Sequence, residues 1–265
     1  MKPHISIPGV LVEAVVARQA VLFAGAGISR SILGLDGSSL KNKIAESIQE
    51  DFEDYDATGR TLEQVADDYA ALNDKRALVN RFATAIRQDA APASSHLAAV
   101  NCFRFIVTTN WDLLFERAYQ AERIHHQVLV QDADAPNFNF DDHNLIKLHG
   151  SVDRPLTIIS TADDYENFPD THANLLSQVA TLLSTHTVLF VGYGLADEHI
   201  RRLLAGIRRK GGAWAGRAFA VMGARFSDEV RRRVLETRRI ETLPYDAEDF
   251  LPELLLRARS RRLGG

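Results

Sequence analysis

Apolar residues fall into two patterns along this chain. Short unbroken runs occupy 21–24, 103–109, 144–148, 187–191, 217–222 and 240–243. Runs of this length, rich in Val, Ile, Leu and Phe, predict strands buried on both faces, as parallel strands between two helical layers are. A further short strand is predicted at 157–159. Between the runs, apolar residues recur every three or four positions. This predicts helices over 9–19, 39–52, 61–72, 74–88, 113–120, 172–185, 196–209, 228–237 and 248–259. Thr61 followed by Gln64 has the form of a capping box, and Ser94 or Ser95 is placed to cap a short helix ending at Val100. Residues 30–38 and 132–143 read as loops. Strands alternating with helices predict an α/β fold with a doubly wound, mostly parallel sheet. No strand interrupts 38–90, so that block is expected to be a helical insertion over the carboxyl end of the first strand.

Four of the apolar runs end alike, with Gly, Asn or His followed by polar residues: Gly25–Ser29, Asn110–Asp112, His149–Gly150 and Gly192–Asp197. Ligands of open parallel sheets sit outside the carboxyl ends of the strands, so these four ends are expected to line one crevice. Gly25-Ala26-Gly27 reads either as a loop that cradles a phosphate with free N–H groups or as a tight strand-to-helix turn. No Gly-Lys-Ser/Thr follows, which excludes a Walker loop, and the third glycine of the dinucleotide fingerprint is missing at its spacing. Each of the other ends also has a structural reading. Asn110 is able to cap the next helix, and Asp112 to serve as a first-turn carboxylate. His149 reads equally as a histidine satisfied at a strand end, Gly192 and Gly194 as a bare turn, and Asp197 as a helix-start residue.

Composition narrows the class. A chain of 265 residues, 46% hydrophobic and 25% charged, suits one large globular domain or a domain with an inserted lobe. No apolar stretch reaches membrane-spanning length, and Met1 to Val10 lacks the apolar core of a signal peptide, so a cytoplasmic setting is expected. The single cysteine, Cys102, forbids an internal disulfide and a multi-cysteine zinc site, and it reads as a small core residue at the start of a strand. His125 and His126 have no third ligand at metal spacing. The net charge of −4 conceals an asymmetry: residues 201–265 carry 16 Lys/Arg against 8 Asp/Glu. That basic quarter reads as solvated helix faces, its arginines being interleaved with Asp228, Glu229, Glu236 and Glu241, or else as a docking surface for an acidic partner, another subunit or nucleic acid.

Three motifs in order, Gly25-Ala26-Gly27-Ile28-Ser29, Thr108-Thr109-Asn110-Trp111-Asp112 and Lys147-Leu148-His149-Gly150, resemble the NAD-site motifs of the sirtuin superfamily. Thr161-Ala162-Asp163-Asp164-Tyr165, then Phe190-Val191-Gly192-Tyr193-Gly194 with Asp197 and Ile200, resemble a bacterial branch, the sirtuin-like domains of antiphage NAD-depletion systems. The resemblance runs from about residue 20 to 205. It implies a Rossmann-like fold over one domain, 1–265. The zinc-binding cysteine pairs of protein-deacylating sirtuins are missing, as is their Gly-Ile-Pro-Asp-Phe-Arg segment after the first motif. A zinc lobe is therefore not expected, and NAD-dependent deacylation of acyl-lysine peptides is kept as the weaker, third reading.

What the resemblance implies is cleavage of NAD at the bond between nicotinamide and ribose, through an oxocarbenium-like transition state. Nicotinamide leaves as a neutral ring, so no general acid is required. By resemblance, Gly25, Ala26, Gly27 and Ser29 hold the pyrophosphate. Asn110 sits by the nicotinamide ribose and positions the attacking water or the carboxamide, and Asp112 meets the nicotinamide amide. His149 bonds the ribose hydroxyls and acts as a base, a role suited to imidazole. Gly192 and Asp197 are assigned to the adenosine ribose. With water as acceptor the products are nicotinamide and ADP-ribose. NAD is thus a substrate, and no metal is implied. Unrestrained hydrolysis harms the host cell, so control is expected from homo-oligomerisation or from a separate sensor, ring ATPase or Argonaute-like chain; direct nucleic-acid binding is not favoured. A non-catalytic module holding NAD or ADP-ribose is the competing reading.

Overall fold

The computed structural model describes residues 5–86, 89–193, 201, 205–206, 217–223 and 228–264. Seven parallel strands form one sheet: β1 (Ala20–Ala24), β2 (Phe105–Thr108), β3 (His126–Leu129), β4 (His143–Lys147), β5 (Thr187–Val191), β6 (Ala218–Val221) and β7 (Ile240–Leu243). Their order is β3-β4-β2-β1-β5-β6-β7. The chain leaves β1 toward β2 on one side and returns on the other side to β5. Strand order therefore reverses at β1, where the crevice of such a sheet opens.

Alternation along the strands feeds two cores. Leu22 and Ala24 of β1 face a layer made by helices α1 (Gly9–Val16), α6 (Ser94–Cys102), α7 (Leu114–Ala121) and α11 (Ala247–Leu263), with Phe115, Tyr119 and Phe250 filling it. Val21 and Phe23 face the opposite layer, where Leu175, Val179 and Leu182 of α9 (Ala173–Thr185) and Phe168 of α8 (Ala162–Thr171) meet the sheet; Leu235 of α10 (Glu229–Thr237) joins them. The sheet is therefore doubly wound. A third core belongs to α3 (Gly37–Gln49), α4 (Leu62–Leu72) and α5 (Lys75–Ala85), whose Ile44, Val65 and Phe82 close around Val152 and Ile158. Two polar ties fasten this block to α8: the Lys75–Asp164 ion pair, and the Ala162 N–H donating to Asp67 Oδ1 at 2.9 Å. Burial raises the Asp164 pKa, but Lys75 and the amides of Ser160 and Thr161 together outweigh it and hold the carboxyl below its usual range.

Several expectations are corrected. No strand forms at 157–159: Pro155–Thr157 is a 3-10 turn, after which Ile158 N–H bonds back to the Pro155 carbonyl at 3.2 Å and Ile159 N–H to the His149 carbonyl at 3.0 Å. The segment 30–38 contains α2 (Arg30–Leu33), stopped by Gly34 at φ +64°. Neither Ser94 nor Ser95 caps α6, whose N-cap is Ala93 with no side-chain bond. Cys102 ends that helix rather than opening a strand; burial pushes its thiol up to about 12, which suits a core residue. Thr61 and Gln64 do form the capping box. The helix expected at 196–209 lies almost wholly outside the described residues.

The described arginines of the basic quarter are largely held within the chain. Arg232 pairs with Glu229 and Glu236, Arg257 donates to the Ile5 carbonyl at 2.7 Å, and Arg262 to that of Val15 at 3.4 Å. Among the described residues, no helix is long and apolar enough to cross a membrane.

Candidate active site

The sheet register brings the motif ends level. Ala24 is paired with Thr108 and Val191, and Thr108 with Lys147, so Gly25, Asn110, His149 and Gly192 emerge from one rim. Ser29, Asn110, Asp112, His149 and Tyr165 line a cavity of about 190 Å³, and Ala26 borders it. Its remaining wall is mostly apolar, with Leu33 and Leu35 after the glycine turn, Leu40 and Leu62 from the helical block, Ile86 and Trp111; Asp36 and Thr109 are its other polar side chains. Trp111 is held there by Phe82, with ring centroids 4.8 Å apart.

Two amides of the glycine turn are engaged within the protein. Gly25 N–H donates to the Val191 carbonyl at 3.0 Å, and Gly27 N–H to that of Gly192 at 2.9 Å. The two glycines thus clamp the β1 and β5 ends together, while the Ala26 N–H donates to no group among the described residues. Close backbone approach explains the residue type: a Cβ on Gly192 would lie 2.2 Å from the Ile28 nitrogen, and Gly192 itself has φ +61°. Gly192→Ala is therefore expected to lower stability by at least about 2 kcal/mol, combining left-handed strain with a backbone clash. Urea denaturation measures it, and a loss below half that value would show that the rim relaxes around the methyl group.

Asn110 does not cap α7. Its Nδ2 donates across the rim to Ser29 Oγ at 3.1 Å, and its Oδ1 is buried without a hydrogen-bond partner. A buried acceptor left unmatched is costly, and a donor entering the cavity would satisfy it. Asp112 does use one oxygen locally, accepting from the Leu114 N–H at 3.0 Å at the start of α7. His149 is 4% exposed, its ring edge-on to Tyr165 at 5.4 Å and to Phe168 at 5.6 Å. Gly150, at φ +91°, follows it because any Cβ there would strike the Thr157 carbonyl. Gly192 packs against the turn as described; Gly194 and Asp197 lie outside the described residues.

Two polar residues behind the rim received no role from the sequence. Lys147, 1% exposed, lies within hydrogen-bond distance of the Asp112 carbonyl (2.7 Å), Ser151 Oγ (2.7 Å), Glu116 Oε1 (2.8 Å) and the Trp111 carbonyl (3.4 Å). One ammonium thus ties the loop after Asn110 to the loop after His149. Burial pushes the Glu116 carboxyl up, and Lys147 offsets this only in part. The available signal was a lysine inside an apolar run, directly before Leu-His-Gly. The second residue, fully buried His96, stands behind Ser29.

Among the described residues there is no group of three or more metal-ligating side chains. The rim can accept an oxygen-rich ligand at Ala26 and Ser29, and bury an apolar ring beside Asn110 and His149. At about 190 Å³ the cavity is below the usual 300–1,000 Å³ of a full ligand site, so it suits one end of a dinucleotide rather than the whole.

Comparison with known proteins agrees with this architecture. Over 98% of this chain and 97% of the other, the fold superposes on a Sir2 homologue solved in complex with NAD, with a TM-score of 0.62 at 12% identity. A point mutant of a Sir2 homologue, solved in complex with ADP ribose, gives 0.61 at 14% identity, covering 97% of this chain and 98% of that one. Among curated proteins, Defense-associated sirtuin 2 of Bacillus subtilis is 29% identical over 107 residues, 39% of this chain and 10% of that protein. The NAD(+) hydrolase ThsA of Bacillus cereus is 26% identical over 199 residues, 73% of this chain and 41% of that protein. The ThsA of Enterococcus faecium is 31% identical over 106 residues, 38% of this chain and 22% of that protein. The chain thus spans less than half the length of these curated relatives. The family model of the SIR2-like domain matches residues 104–243, more than half of the sequence, and the chain belongs to that family.

Proposed function

We propose that this chain hydrolyses NAD to nicotinamide and ADP-ribose and serves as an antiphage effector. One observation carries the reading: Asn110 and His149 face the same small cavity, Asn110 is held there by Ser29, and its buried Oδ1 awaits a donor. The carboxamide of nicotinamide or a positioned water supplies such a donor. His149 is placed to hold ribose hydroxyls and take a proton from the attacking water. Ala26 N–H and the Ser29 hydroxyl are placed for phosphate oxygens, and Asp112 for the nicotinamide amide. The apolar wall excludes bulk water from the bond being broken, which strengthens every electrostatic contact inside. Gly192 and Asp197 belong, in this proposal, to the adenosine side.

The whole chain is taken as one domain, with the helices of 38–90 roofing the nicotinamide end. Similarity to proteins named NAD(+) hydrolase and defence-associated sirtuin supports the reaction and its setting. A switch belongs to the proposal, because NAD hydrolysis damages the cell that makes the enzyme: assembly of several copies, or a partner chain, turns the site on. The proposal separates from deacylation by its acceptor. Nicotinamide release is expected to be unaffected by an acetyl-lysine peptide at millimolar concentration, with ADP-ribose and no acyl-ADP-ribose as product. Peptide-dependent turnover, read by chromatography of both products, would replace hydrolysis by deacylation.

A further inference from the structure

Ser29 Oγ sits between two nitrogens. Asn110 Nδ2 donates to it from the cavity side at 3.1 Å, and His96 Nε2 lies 3.4 Å away on the core side. His96 projects from α6 and is fully buried, edge-on to Phe115 with centroids 5.1 Å apart. It does not border the cavity, so it cannot touch a substrate there. Burial holds its imidazole neutral at physiological pH, pushing the pKa down to about 4 against the pull of Asp112 and Glu248. A neutral ring carries one N–H. The other nitrogen, Nδ1, is buried without a hydrogen-bond partner. A proton on Nδ1 would bury a donor with nothing to accept it, the rarest kind of unsatisfied group in folded proteins. A proton on Nε2 faces Ser29 Oγ, the acceptor it meets among the described residues.

A serine hydroxyl has two lone pairs and one proton. We propose that His96 is a positioning residue of the NAD site: by donating from Nε2 to Ser29 Oγ, alongside the Asn110 amide, it fills both lone pairs of that oxygen and turns the Ser29 proton into the cavity. The hydroxyl is then a fixed donor to an oxygen of the dinucleotide, and Asn110 Nδ2 stays engaged, which leaves Asn110 Oδ1 as the group offered to the nicotinamide end. The inference rests on the NAD-cleaving reading of the site.

A double-mutant cycle tests it. His96→Leu is expected to lower kcat/KM for nicotinamide release about tenfold, the scale of one hydrogen bond lost in a desolvated site. Because His96 acts through Ser29, the His96→Leu/Ser29→Ala double variant should be no slower than Ser29→Ala alone, within about twofold. Sites that act independently multiply instead. His96→Gln places a neutral amide donor toward Ser29 and should recover most of the loss, including where the leucine variant folds poorly. Multiplying effects, or a glutamine variant as slow as the leucine one at equal melting temperature, would overturn the positioning role while leaving NAD hydrolysis standing. If the wild-type chain releases no nicotinamide, the hydrolase reading fails. The cycle is then read from the Kd for ADP-ribose by calorimetry, where loss in the Ser29→Ala background equal to that in wild type would overturn the inference separately.

Discussion

Replacing Asn110 or His149 by alanine is expected to lower nicotinamide release at least about a hundredfold, the scale of a lost catalytic base or oriented dipole. The same substitutions should scarcely alter stability. Both side chains border the cavity, so part of the space left by their removal opens into it rather than into the packed core. Asn110 also carries a buried oxygen with no partner, and deleting it removes an unmet desolvation cost. Its bond to Ser29 is lost at the same time, and the two terms oppose each other. The expected net change is within about 1 kcal/mol, of either sign. Rates from nicotinamide chromatography and midpoints from urea denaturation, made on the same preparations, check both halves. A large stability loss with a proportionate activity loss would mean that these residues hold the fold and nothing more.

Lys147→Met is expected to behave in the opposite way, losing about 3–5 kcal/mol of stability. The ammonium is buried, and its removal leaves the Glu116 carboxylate without its cation and strips the Asp112 carbonyl and the Ser151 hydroxyl of their contact with it. In a chain of this size that corresponds to a melting temperature lower by roughly 10 °C. Activity should fall as well, because the loops bearing Asn110 and His149 are then joined by the Val152 N–H to Trp111 carbonyl bond without the ammonium that braces it. The double variant Lys147→Met/Glu116→Gln is expected to recover part of the stability by removing the stranded charge. It should not recover activity, because the ammonium tie between the loops is still missing. Calorimetric melting of the two variants separates these effects; equal melting of wild type and Lys147→Met would show that the buried network is not stabilising.

The contrast between these residues reflects what a linear pattern carries. β1 and β5 are buried along their whole length, so unbroken apolar runs announce them. β3 is an edge strand beginning His126-Gln127, mostly half-buried, and nothing in its periodicity separates it from a loop. Helix α8 is acidic, contains Pro169 and buries only Phe168, so its pattern is equally silent. The motif ends were legible because strand, glycine and polar residue follow one another in sequence. Their mutual contacts were not. The Ser29–Asn110 bond joins residues 81 positions apart, and the Lys147–Glu116 pair 31 apart; both exist only through the register of β1, β2 and β4. The glycine turn shows the same limit. The glycines mark a place of close approach, and what approaches them is Gly192 at Gly27 and both Gly192 and Tyr193 at Gly25. That leaves the Ala26 N–H as the amide of the turn with no partner among the described residues.

The most direct test of the account is chromatography of NAD after incubation with the purified chain, alone over a range of protein concentrations and with the protein encoded beside it. The account predicts nicotinamide and ADP-ribose in equal amounts under at least one of these conditions, and neither from the Asn110→Ala and His149→Ala variants. NAD left intact under every condition, while ADP-ribose still binds, would contradict hydrolysis and make this a module that holds the dinucleotide without cleaving it.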